Sequence, residues 1–378
     1  METRKAVFIH SPQMEKFSYP PDFPFNVTRA GRVRQTLNSM GLLTGPDRME
    51  VAPTIATRLV LKKFHSAHYL YVLKEAAKGR FNSDAYSMGI GTPDCPVFKD
   101  MYDYSAWACG ATLTGVKLIL SGKADIAFNP SGGLHHSGPE KAAGFCYMND
   151  VALACTVLAE AKKKVLYLDL DVHFGDGVAN AFYDRNDVMT ISFHESGRTL
   201  FPGTGFEDEI GTGEGKGYCI NVPLPIGTYD QAYMMAFKAI ALPLIKAFNP
   251  DVIVLQLGAD GLAGDPLAHL CLTNNVYADI IRLLLNFNKP ILATGGGGYN
   301  IENTVRAWAL DWTILSGADR GHDTHLGVGG IMLESTEWQG GLRDRELLVT
   351  KHQQEMVLPA VEATIQKIRT RIFPIHGL

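Results

Sequence analysis

The sequence predicts a single α/β domain built on a parallel sheet with helices on both faces. Apolar runs of five to seven residues, rich in Val, Ile and Leu, have the length of buried strands. They alternate with longer segments that carry apolar residues at intervals of three and four, as amphipathic helices do. This alternation is typical of a parallel sheet covered by helices. Since no low-complexity linker or internal repeat divides the chain, we expect one domain over residues 1–378.

The predicted elements follow one another along the chain. Strands are predicted at 6–10, 124–129, 165–171, 188–193, 252–257 and 290–294. Helices are predicted at 106–120, 149–163, 229–247 and 275–287, and the chain ends in a further helix-like segment. Helices separate most successive strands, as the crossover connections of a parallel sheet require.

Composition narrows the class of protein. Lys and Arg number 35 against 39 Asp and Glu, and this balance disfavours nucleic-acid binding and suits a cationic substrate better than an anionic one. The first residues lack the apolar core of a signal peptide, and no uncharged apolar stretch approaches the ~18 residues of a membrane span. We therefore expect a soluble cytoplasmic protein. Its six cysteines form no C-x-x-C pair and are expected to be buried apolar residues.

The most informative stretch is the end of the strand predicted at 165–171. Asp169, Asp171 and His173 occupy alternate positions there, and alternate residues of an extended strand point to one face. Polar groups on a buried face are costly unless they bind a metal or one another. Three other predicted strands are also followed by polar residues, namely His135 and His136, Asp260, and the segment 295–299. Open α/β sheets place their sites at these carboxyl ends.

Asp171, His173 and Asp260 are the candidate metal ligands. Three such ligands leave a position for water at a hydrolytic zinc site, whereas the alternative is a buried ion-pair network of Asp and His. A second ion would need further carboxylates, but the positions two residues beyond His173 and Asp260 are Gly175 and Leu262. We expect one metal.

His135 and His136 lie in a glycine-rich loop that is flexible enough to present both rings to a cleft. Adjacent histidines can be merely structural. Asp169 and Asp176 have no other assigned role, however, and each can accept a hydrogen bond that fixes an imidazole tautomer and raises its basicity. Two His–Asp pairs next to a metal would supply a general base and a general acid.

The glycine run 295–298, followed by Tyr299, has three interpretations. It could cradle a phosphate, although it lacks the Lys-Ser/Thr of a P-loop and the spacing of a dinucleotide fingerprint. It could also be a tight structural turn. We favour the third interpretation, in which the glycines let the backbone approach a substrate and the Tyr299 hydroxyl stabilises a developing oxyanion.

Phe145, Phe201 and Leu267 lie in loops that flank these groups. Loop residues of this kind often fill a minor core. They could instead line a narrow apolar channel that leads to the metal and suits an alkyl chain. Spacing alone leaves both interpretations open.

Six motifs together resemble the zinc-dependent histone deacetylase family. They are PSGGLHH at 130–136, GFCYMND at 144–150, DLDVHFGDG at 169–177, FPGTG at 201–205, GAD at 258–260 and GGGGY at 295–299. The resemblance extends from about His10 to about Trp312 and is to the class I-like branch, which includes bacterial acetoin-utilisation proteins. It implies the arginase/deacetylase fold, a single domain with an eight-stranded parallel sheet flanked by helices.

The resemblance also implies the roles of the site residues. The metal ligands would be Asp171, His173 and Asp260. They would hold Zn²⁺, with Fe²⁺ as the alternative. The catalytic residues would be His135, His136, Asp169, Asp176 and Tyr299. His136, paired with Asp176, matches the general base that later acts as general acid. His135, paired with Asp169, matches a histidine with a mainly electrostatic role. Tyr299 matches the tyrosine that binds the scissile carbonyl.

Substrate and ion contacts are implied in the same way. The substrate-binding residues would be Asp94, Gly144, Phe145, Phe201, Leu267 and Gly297. Among these the two phenylalanines match the walls of an acyl-lysine tunnel, Leu267 matches its rim, and Asp94 matches a carboxylate that holds the substrate backbone. Arg29 matches an arginine near an internal acetate-release cavity. A potassium ion is implied near Asp169, Asp171, His173, Ser192 and Phe193, largely through backbone carbonyls.

Two positions depart from the family pattern. Phe174 stands where family members have a second histidine, and Pro93 stands where they have an aromatic residue before the rim aspartate. We expect Phe174 to alter packing behind the metal without removing a ligand. We expect Pro93 to affect substrate preference at the rim.

The implied activity is that of a metal-dependent amidohydrolase, which removes acetyl or another short acyl group from lysine side chains of a protein or peptide. One alternative is a deacetylase of a small molecule such as an acetylpolyamine, which would want a rim carboxylate where this chain has Leu267. Another is a catalytically silent acyl-lysine-binding or metal-binding module. Against it, every catalytic group of the family pattern is present.

Overall fold

One sheet organises residues 4–319 and 341–378, which are the residues that the computed structural model describes. Its strands are β1 (Ala6–Ile9), β2 (Arg48–Val51), β3 (Ile126–Asn129), β4 (Val165–Asp169), β5 (Val188–Glu195), β6 (Cys219–Leu224), β7 (Val252–Gln256) and β8 (Ile291–Thr294). Their order across the sheet is β2-β1-β3-β8-β7-β4-β5-β6, and every neighbouring pair is parallel. The predicted parallel sheet is confirmed.

Helices occupy most of the connections between strands. Within the described residues they are α1 (Arg29–Ser39), α2 (Arg58–Leu61), α3 (Ala67–Ala76), α4 (Ser83–Ser87), α5 (Met101–Leu120), α6 (Asp150–Glu160), α7 (Asp176–Ala181), α8 (Asp230–Phe248), α9 (Asn274–Leu285), α10 (Ile301–Leu315) and α11 (Lys351–Ile372). Side-chain caps begin several of them. Asn149, Thr273 and Asn300 each accept a backbone N–H of the first turn of α6, α9 and α10.

Alternate strand residues face two separate apolar cores. In β1, Ala6 and Phe8 belong to one core, and Val7 and Ile9 belong to the other. Residues of α1, α8, α9, α10 and α11 complete the first core, and residues of α3, α5 and α6 complete the second. Because both faces of the sheet are buried, most of its strands are rich in apolar residues on both faces. The prediction of helices on both faces is confirmed.

The sequence prediction misses two strands, and both lie at edges of the sheet. β2 is polar and only half-buried, and β6 contains Pro223, which edge strands tolerate because it has no N–H to donate. Six helices are also missed, namely α1, α2, α3, α4, α7 and α10. Strand β4 ends at Asp169 rather than at residue 171, and α5 begins at Met101 rather than at residue 106. Residues 1–3 and 320–340 of the predicted domain lie outside the described residues.

The cysteines take the positions expected of small apolar residues. All six are free, and all except Cys271 are buried. Among the described residues, no helix combines the length and apolarity that crossing a membrane would require.

The sheet order brings the candidate site residues to its centre. β3, β8, β7 and β4 are consecutive strands, and their carboxyl ends lie at one edge. The segments that follow these strands carry the candidate residues, namely His135 and His136, Tyr299, Asp260, and Asp171 with His173. Residues far apart in the chain therefore meet above four adjacent strands.

Candidate active site

Three potential metal ligands converge beyond β4 and β7. Asp171 and His173 follow β4, Asp260 follows β7, and all three are buried. One ligand atom of each residue lies within 4.8 Å of the others. His173 Nδ1 is 2.9 Å from Asp260 Oδ2 and 3.3 Å from Asp171 Oδ1. The structure thus brings together the three residues that the sequence proposes as ligands.

The charges of this group fit a divalent cation. Burial and the nearby Asp171 raise the pKa of Asp260 to about 7. Burial opposes ionisation of Asp171 as well, but the His135 and His173 rings hold the pKa of Asp171 below its usual value. Burial also disfavours charge on His173, yet the two carboxylates raise its pKa to about 10. Two buried carboxylates therefore depend on nearby positive charge, which a bound metal ion would supply.

Backbone bends, not an extended strand, direct these ligands. The Asp169 carboxylate accepts the Asp171 N–H, and the Asp171 carboxylate accepts the His173 N–H, each at 3.0 Å. Asp260 Oδ1 accepts the Val172 N–H at 3.0 Å. Such local side-chain bonds favour turns over strands. The expectation of an extended strand through residue 173 is therefore wrong, although the residues that it selects do converge.

Each of the adjacent histidines has its own carboxylate partner. His135 Nδ1 is 2.9 Å from Asp169 Oδ2, and His136 Nδ1 is 2.8 Å from Asp176 Oδ1. The Nε2 atoms of the two rings are 3.0 Å apart. Tyr167 donates its hydroxyl to Asp169 Oδ2 at 2.6 Å. The two His–Asp pairs expected from the sequence are present in the geometry.

The surroundings of the two histidine rings shift their pKa values in opposite directions. Burial lowers the pKa of His136 to about 4, and the charge on His135 acts in the same direction. Burial also disfavours charge on His135, but Asp169 and Asp171 outweigh it and raise the pKa of His135 to about 9. These shifts favour a charged His135 and a neutral His136 near neutral pH, so His136 is the candidate base of the pair.

Asn149 and Asp150 hold in place the loop that carries His135 and His136, and sequence reasoning misses both. The Asn149 side chain donates to the carbonyls of His135 at 3.1 Å and Ser137 at 2.9 Å. Asp150 Oδ2 accepts the Gly133 N–H at 3.1 Å. Both side chains are fully buried. The sequence signal that could have identified Asn149 is its position at the start of the predicted helix, because Asn is a preferred N-cap residue.

The loop between β8 and α10 brings Tyr299 to the ligand group. The Gly297 N–H donates to Asp171 Oδ2 at 2.7 Å, and a Cβ at Gly297 would overlap the Asp260 carboxylate. Gly296 has a φ of 138°, which side chains disfavour. Because the loop already offers an N–H to a carboxylate, the geometry favours close backbone approach over a phosphate cradle.

Arg29 is buried against this same loop. Its guanidinium donates to the carbonyls of Gly298 at 2.7 Å and Gly296 at 3.0 Å. The guanidinium carbon also lies 4.6 Å from the ring centroid of Phe25 and 5.0 Å from that of Trp308. Arg29 therefore supports the glycine loop. A role in acetate release stays a prediction.

Two aromatic rings border the candidate catalytic groups. The ring centroid of Phe201 is 5.0 Å from that of His136 and 6.4 Å from that of His173. The ring of Phe145 lies 5.7 Å from that of Tyr299, edge to face. Phe201 is 45% exposed, so it does not fill a core. These contacts favour the channel interpretation.

Asp94 anchors the segment that carries Phe145. Its Oδ2 accepts the Gly144 N–H at 2.9 Å, and its carbonyl accepts the Phe145 N–H at 3.1 Å. The Tyr19 hydroxyl donates to the Phe145 carbonyl at 2.7 Å. Phe145 has a φ of 68°, and a side chain in that region costs about 1–3 kcal/mol. The three hydrogen bonds hold this unfavourable conformation in place.

The residues expected at the rim lie in two further loops. Leu267 is half-buried, and its N–H donates to Asp265 Oδ1 at 2.9 Å. Pro93 is exposed next to Asp94. One of these loops carries an apolar side chain and the other a carboxylate, and their place at a rim stays a prediction.

The remaining candidates lie behind the ligand group. The Phe174 ring is buried 4.9 Å from the His194 ring, where it packs without displacing any of the three candidate ligands. Asp169 of β4 is paired with Ser192 of β5, and Phe193 follows in the same strand. The residues expected around a potassium ion are thus neighbours, while the ion itself stays a prediction.

Comparisons of sequence agree with the motifs. Residues 23–315 match the family model described as histone deacetylase domain. Histone deacetylase 3 of Oryza sativa subsp. japonica is 39% identical over 323 residues, which are 84% of this chain and 62% of that protein. Acetoin utilization protein AcuC of Bacillus subtilis is 39% identical over 328 residues, which are 85% of this chain and 84% of that protein. The chain thus spans less than two thirds of the Oryza relative and most of the Bacillus relative.

Comparisons of structure give the same result. A crystal structure of an HDAC homolog complexed with SAHA matches with a TM-score of 0.84 at 30% identity, over 97% of this chain and 100% of that one. An HDAC homolog from Aquifex aeolicus matches with a TM-score of 0.83 at 31% identity, over the same shares of the two chains. The similarity therefore extends over nearly the whole fold.

Proposed function

The chain belongs to the histone deacetylase family and has the arginase/deacetylase fold, and from this premise we propose that it is a metal-dependent hydrolase of acyl-lysine side chains in proteins or peptides. Its relatives support hydrolytic deacetylation as the reaction class. One observation carries the proposal, namely the convergence of a buried Asp–His–Asp group and two His–Asp pairs. Amide hydrolysis needs an electrophile and a base side by side.

Asp171, His173 and Asp260 are the proposed metal ligands. Their two carboxylates and one imidazole suit Zn²⁺, with Fe²⁺ as the alternative. When bound, the ion supplies a Lewis acid for the amide carbonyl and lowers the pKa of water in the site. We also propose a potassium ion beside the end of β4, where Asp169 is paired with Ser192 of β5 and Phe193 follows in that strand.

His136 is the proposed general base and general acid. Its neutral ring, held by Asp176, accepts a proton from the attacking water and returns a proton to the lysine amine as the C–N bond breaks. His135, held by Asp169, contributes positive charge beside the developing anion. The Tyr299 hydroxyl donates a hydrogen bond to the carbonyl oxygen as negative charge accumulates there.

The walls of the site suit an alkyl chain that ends in an amide. Phe145 and Phe201 border the catalytic groups on two sides, so lysine methylenes would pass between apolar surfaces. An acetylpolyamine would bring the free ammonium group at its other end to the rim. Leu267 offers it no charge, whereas Asp94 offers a carboxylate that can accept peptide N–H groups. We therefore favour a peptide-embedded lysine over the small-molecule alternative.

Leu267→Glu is expected to shift specificity toward a polyamine. A rim carboxylate paired with the distal ammonium of N-acetylputrescine would contribute about 1–3 kcal/mol, so the preference should change by about 5- to 150-fold. The measurement is kcat/KM for an acetyl-lysine peptide and for N-acetylputrescine. Leu267→Gln introduces a side chain of nearly the same size as Glu but without its charge, and is the matched control. An equal shift in both variants would exclude a charge effect.

Asp94→Ala tests the peptide side of the assignment. We expect peptide kcat/KM to fall more than N-acetylputrescine kcat/KM, because both substrates pass Phe145 but only the peptide has backbone N–H groups for Asp94. If the unaltered enzyme prefers the polyamine and Asp94→Ala leaves peptide turnover unchanged, the lysine-deacylase assignment fails. The small-molecule deacetylase then takes its place. Absence of hydrolysis with every acyl-lysine peptide, in metal-loaded protein, would favour a silent binding module.

Metal removal is expected to abolish hydrolysis. The convergence of Asp171, His173 and Asp260, with Gly175 and Leu262 where a second site would need carboxylates, predicts one catalytic divalent ion per chain. Elemental analysis of active protein, before and after treatment with a chelator, measures this ratio while counting potassium separately. Re-addition of the ion should restore activity. Two catalytic divalent ions per active chain would refute the prediction.

A further inference from the structure

Asp265 is a buried carboxylate that the proposed chemistry leaves without a role. It lies five residues after Asp260 and is 8% exposed. Its Oδ2 accepts the N–H groups of Tyr299 at 2.7 Å and Asn300 at 3.3 Å. Its Oδ1 accepts the Leu267 N–H at 2.9 Å. One side chain therefore binds the backbone of the proposed oxyanion tyrosine and of the rim.

The peptide group between Gly298 and Tyr299 is held at both ends. Arg29 Nη1 donates to the Gly298 carbonyl at 2.7 Å, and the Tyr299 N–H donates to Asp265 Oδ2 at 2.7 Å. A peptide group is planar, so rotating it breaks both hydrogen bonds together. Gly298 has a φ of 128° and no side chain, so local sterics restrain it little. The two charged side chains thus set the direction in which the Tyr299 side chain leaves the backbone.

The loop of Asp265 is docked on the start of α10. Asn300 is the N-cap of this helix of 15 residues, and Asn303 of its first turn donates to the Ala263 carbonyl at 3.2 Å. A carboxylate next to a helix N-terminus is favourably placed in the field of the helix. Asp265, Tyr299 and the first turn of α10 are therefore connected by hydrogen bonds into one unit.

We propose that Asp265 is a positioning residue, which aligns the Tyr299 hydroxyl with the scissile carbonyl and fixes Leu267 at the rim. The inference rests on the proposed function of Tyr299 and extends it. Asp265 acts through backbone amides and reaches the reaction only by way of the residues that it holds. A misplacement of about 1 Å can cost on the order of 10²-fold in rate, so the anchor bears directly on turnover.

A double-mutant cycle between Asp265→Asn and Tyr299→Phe tests this coupling. Asp265→Asn keeps the side-chain volume but turns an N–H₂ group toward at least one of the three backbone donors. We expect Asp265→Asn alone to lower kcat on an acetyl-lysine peptide by about 10-fold or more. In the Tyr299→Phe background, where no hydroxyl remains to be aligned, the same change should lower kcat by less than about 2-fold.

Asp230→Asn is the matched control. Asp230 is likewise a carboxylate that accepts a backbone N–H, that of Thr273 at 2.8 Å, but it is only partly buried and holds the start of α9 rather than a site residue. We expect normal kcat for Asp230→Asn in both backgrounds. Unfolding temperature and metal content are measured for every variant, so that a loss of folded or metallated protein is recognised.

The outcomes separate this inference from the proposed function. An equal loss of kcat from Asp265→Asn in both backgrounds would overturn the positioning role. Unaltered turnover in Tyr299→Phe would instead overturn the role of Tyr299 itself. If Asp265→Asn does not fold, Asp265→Ser, whose hydroxyl keeps one acceptor, takes its place in the cycle.

A direct measurement of side-chain order complements the kinetics. With 3-fluorotyrosine at position 299, ¹⁹F NMR is expected to give one sharp resonance in the otherwise unaltered chain. The resonance should broaden or split in Asp265→Ser and stay sharp in Asp230→Asn. An unchanged resonance in Asp265→Ser would contradict the inference.

Discussion

His136→Ala is expected to lower turnover of an acetyl-lysine peptide by about 10³-fold, within the range that a general acid–base group contributes. Burial favours the neutral form of the His136 ring, its Nδ1 is 2.8 Å from Asp176 Oδ1, and its centroid is 5.9 Å from that of the His173 ring. Removing it deletes the proton acceptor for the attacking water and the proton donor for the departing amine. Steady-state kinetics on metal-loaded protein measure the effect.

His376→Ala provides the control for loss of an imidazole. His376 Nε2 contacts the Gly217 carbonyl at 2.8 Å, at the start of β6 and away from the site. We expect this variant to retain turnover. His136→Ala should also retain its metal, because His136 is not one of the three candidate ligands. Turnover within 10-fold of the unaltered enzyme in His136→Ala would assign both proton transfers to another group.

The candidate metal ligands could be selected from the sequence because a buried carboxylate without a partner is energetically unfavourable. Asp171 and Asp260 follow apolar runs that both faces of a parallel sheet bury, and buried carboxylates need a partner of opposite charge. Their convergence follows from the parallel sheet, which carries the ends of β4 and β7 to one edge. Residue type and strand position together were sufficient to select these residues as candidate ligands, whereas the roles of the other site residues came from the family resemblance.

Hydrogen-bond partners that hold the site could not be predicted in the same way. The Asp265 carboxylate reaches Tyr299 across 34 positions, and the Asp94 carboxylate reaches Gly144 across 50. In sequence, Asp265 before Pro266 is an ordinary turn signal. Its partners depend on which strands are neighbours in the sheet, and periodicity carries no information on strand order.

The path of the backbone after β4 was also predicted wrongly from the sequence, and Asp169 shows the reason. An apolar run followed by alternating polar residues is typical of a continuing strand. Here the Asp169 carboxylate accepts the Asp171 N–H and ends the strand, because a short acidic side chain can replace a ladder partner. A short acidic side chain can therefore end a strand, as Asp169 does, and can also serve as a candidate metal ligand, as Asp171 and Asp260 do.

Tyr299→Phe is expected to lower kcat by about 10²-fold or more, near 3 kcal/mol, while metal content and folding are unchanged. The ring is kept, so its edge-to-face contact with Phe145 survives, and only the hydroxyl is lost. If that hydroxyl binds the oxyanion more strongly than the ground-state carbonyl, KM should change much less than kcat.

Tyr233→Phe is the matched control, since it deletes a buried hydroxyl that has no hydrogen-bond partner among the described residues. Losing an unpaired buried hydroxyl removes a desolvation cost, so this variant should keep its turnover and unfold at the same or a higher temperature. The pair of variants separates the loss of a buried tyrosine hydroxyl as such from the loss of the hydroxyl at the end of the glycine loop. Near-normal kcat in Tyr299→Phe would leave oxyanion stabilisation to the metal site and remove the reason for a tyrosine at the end of the glycine loop.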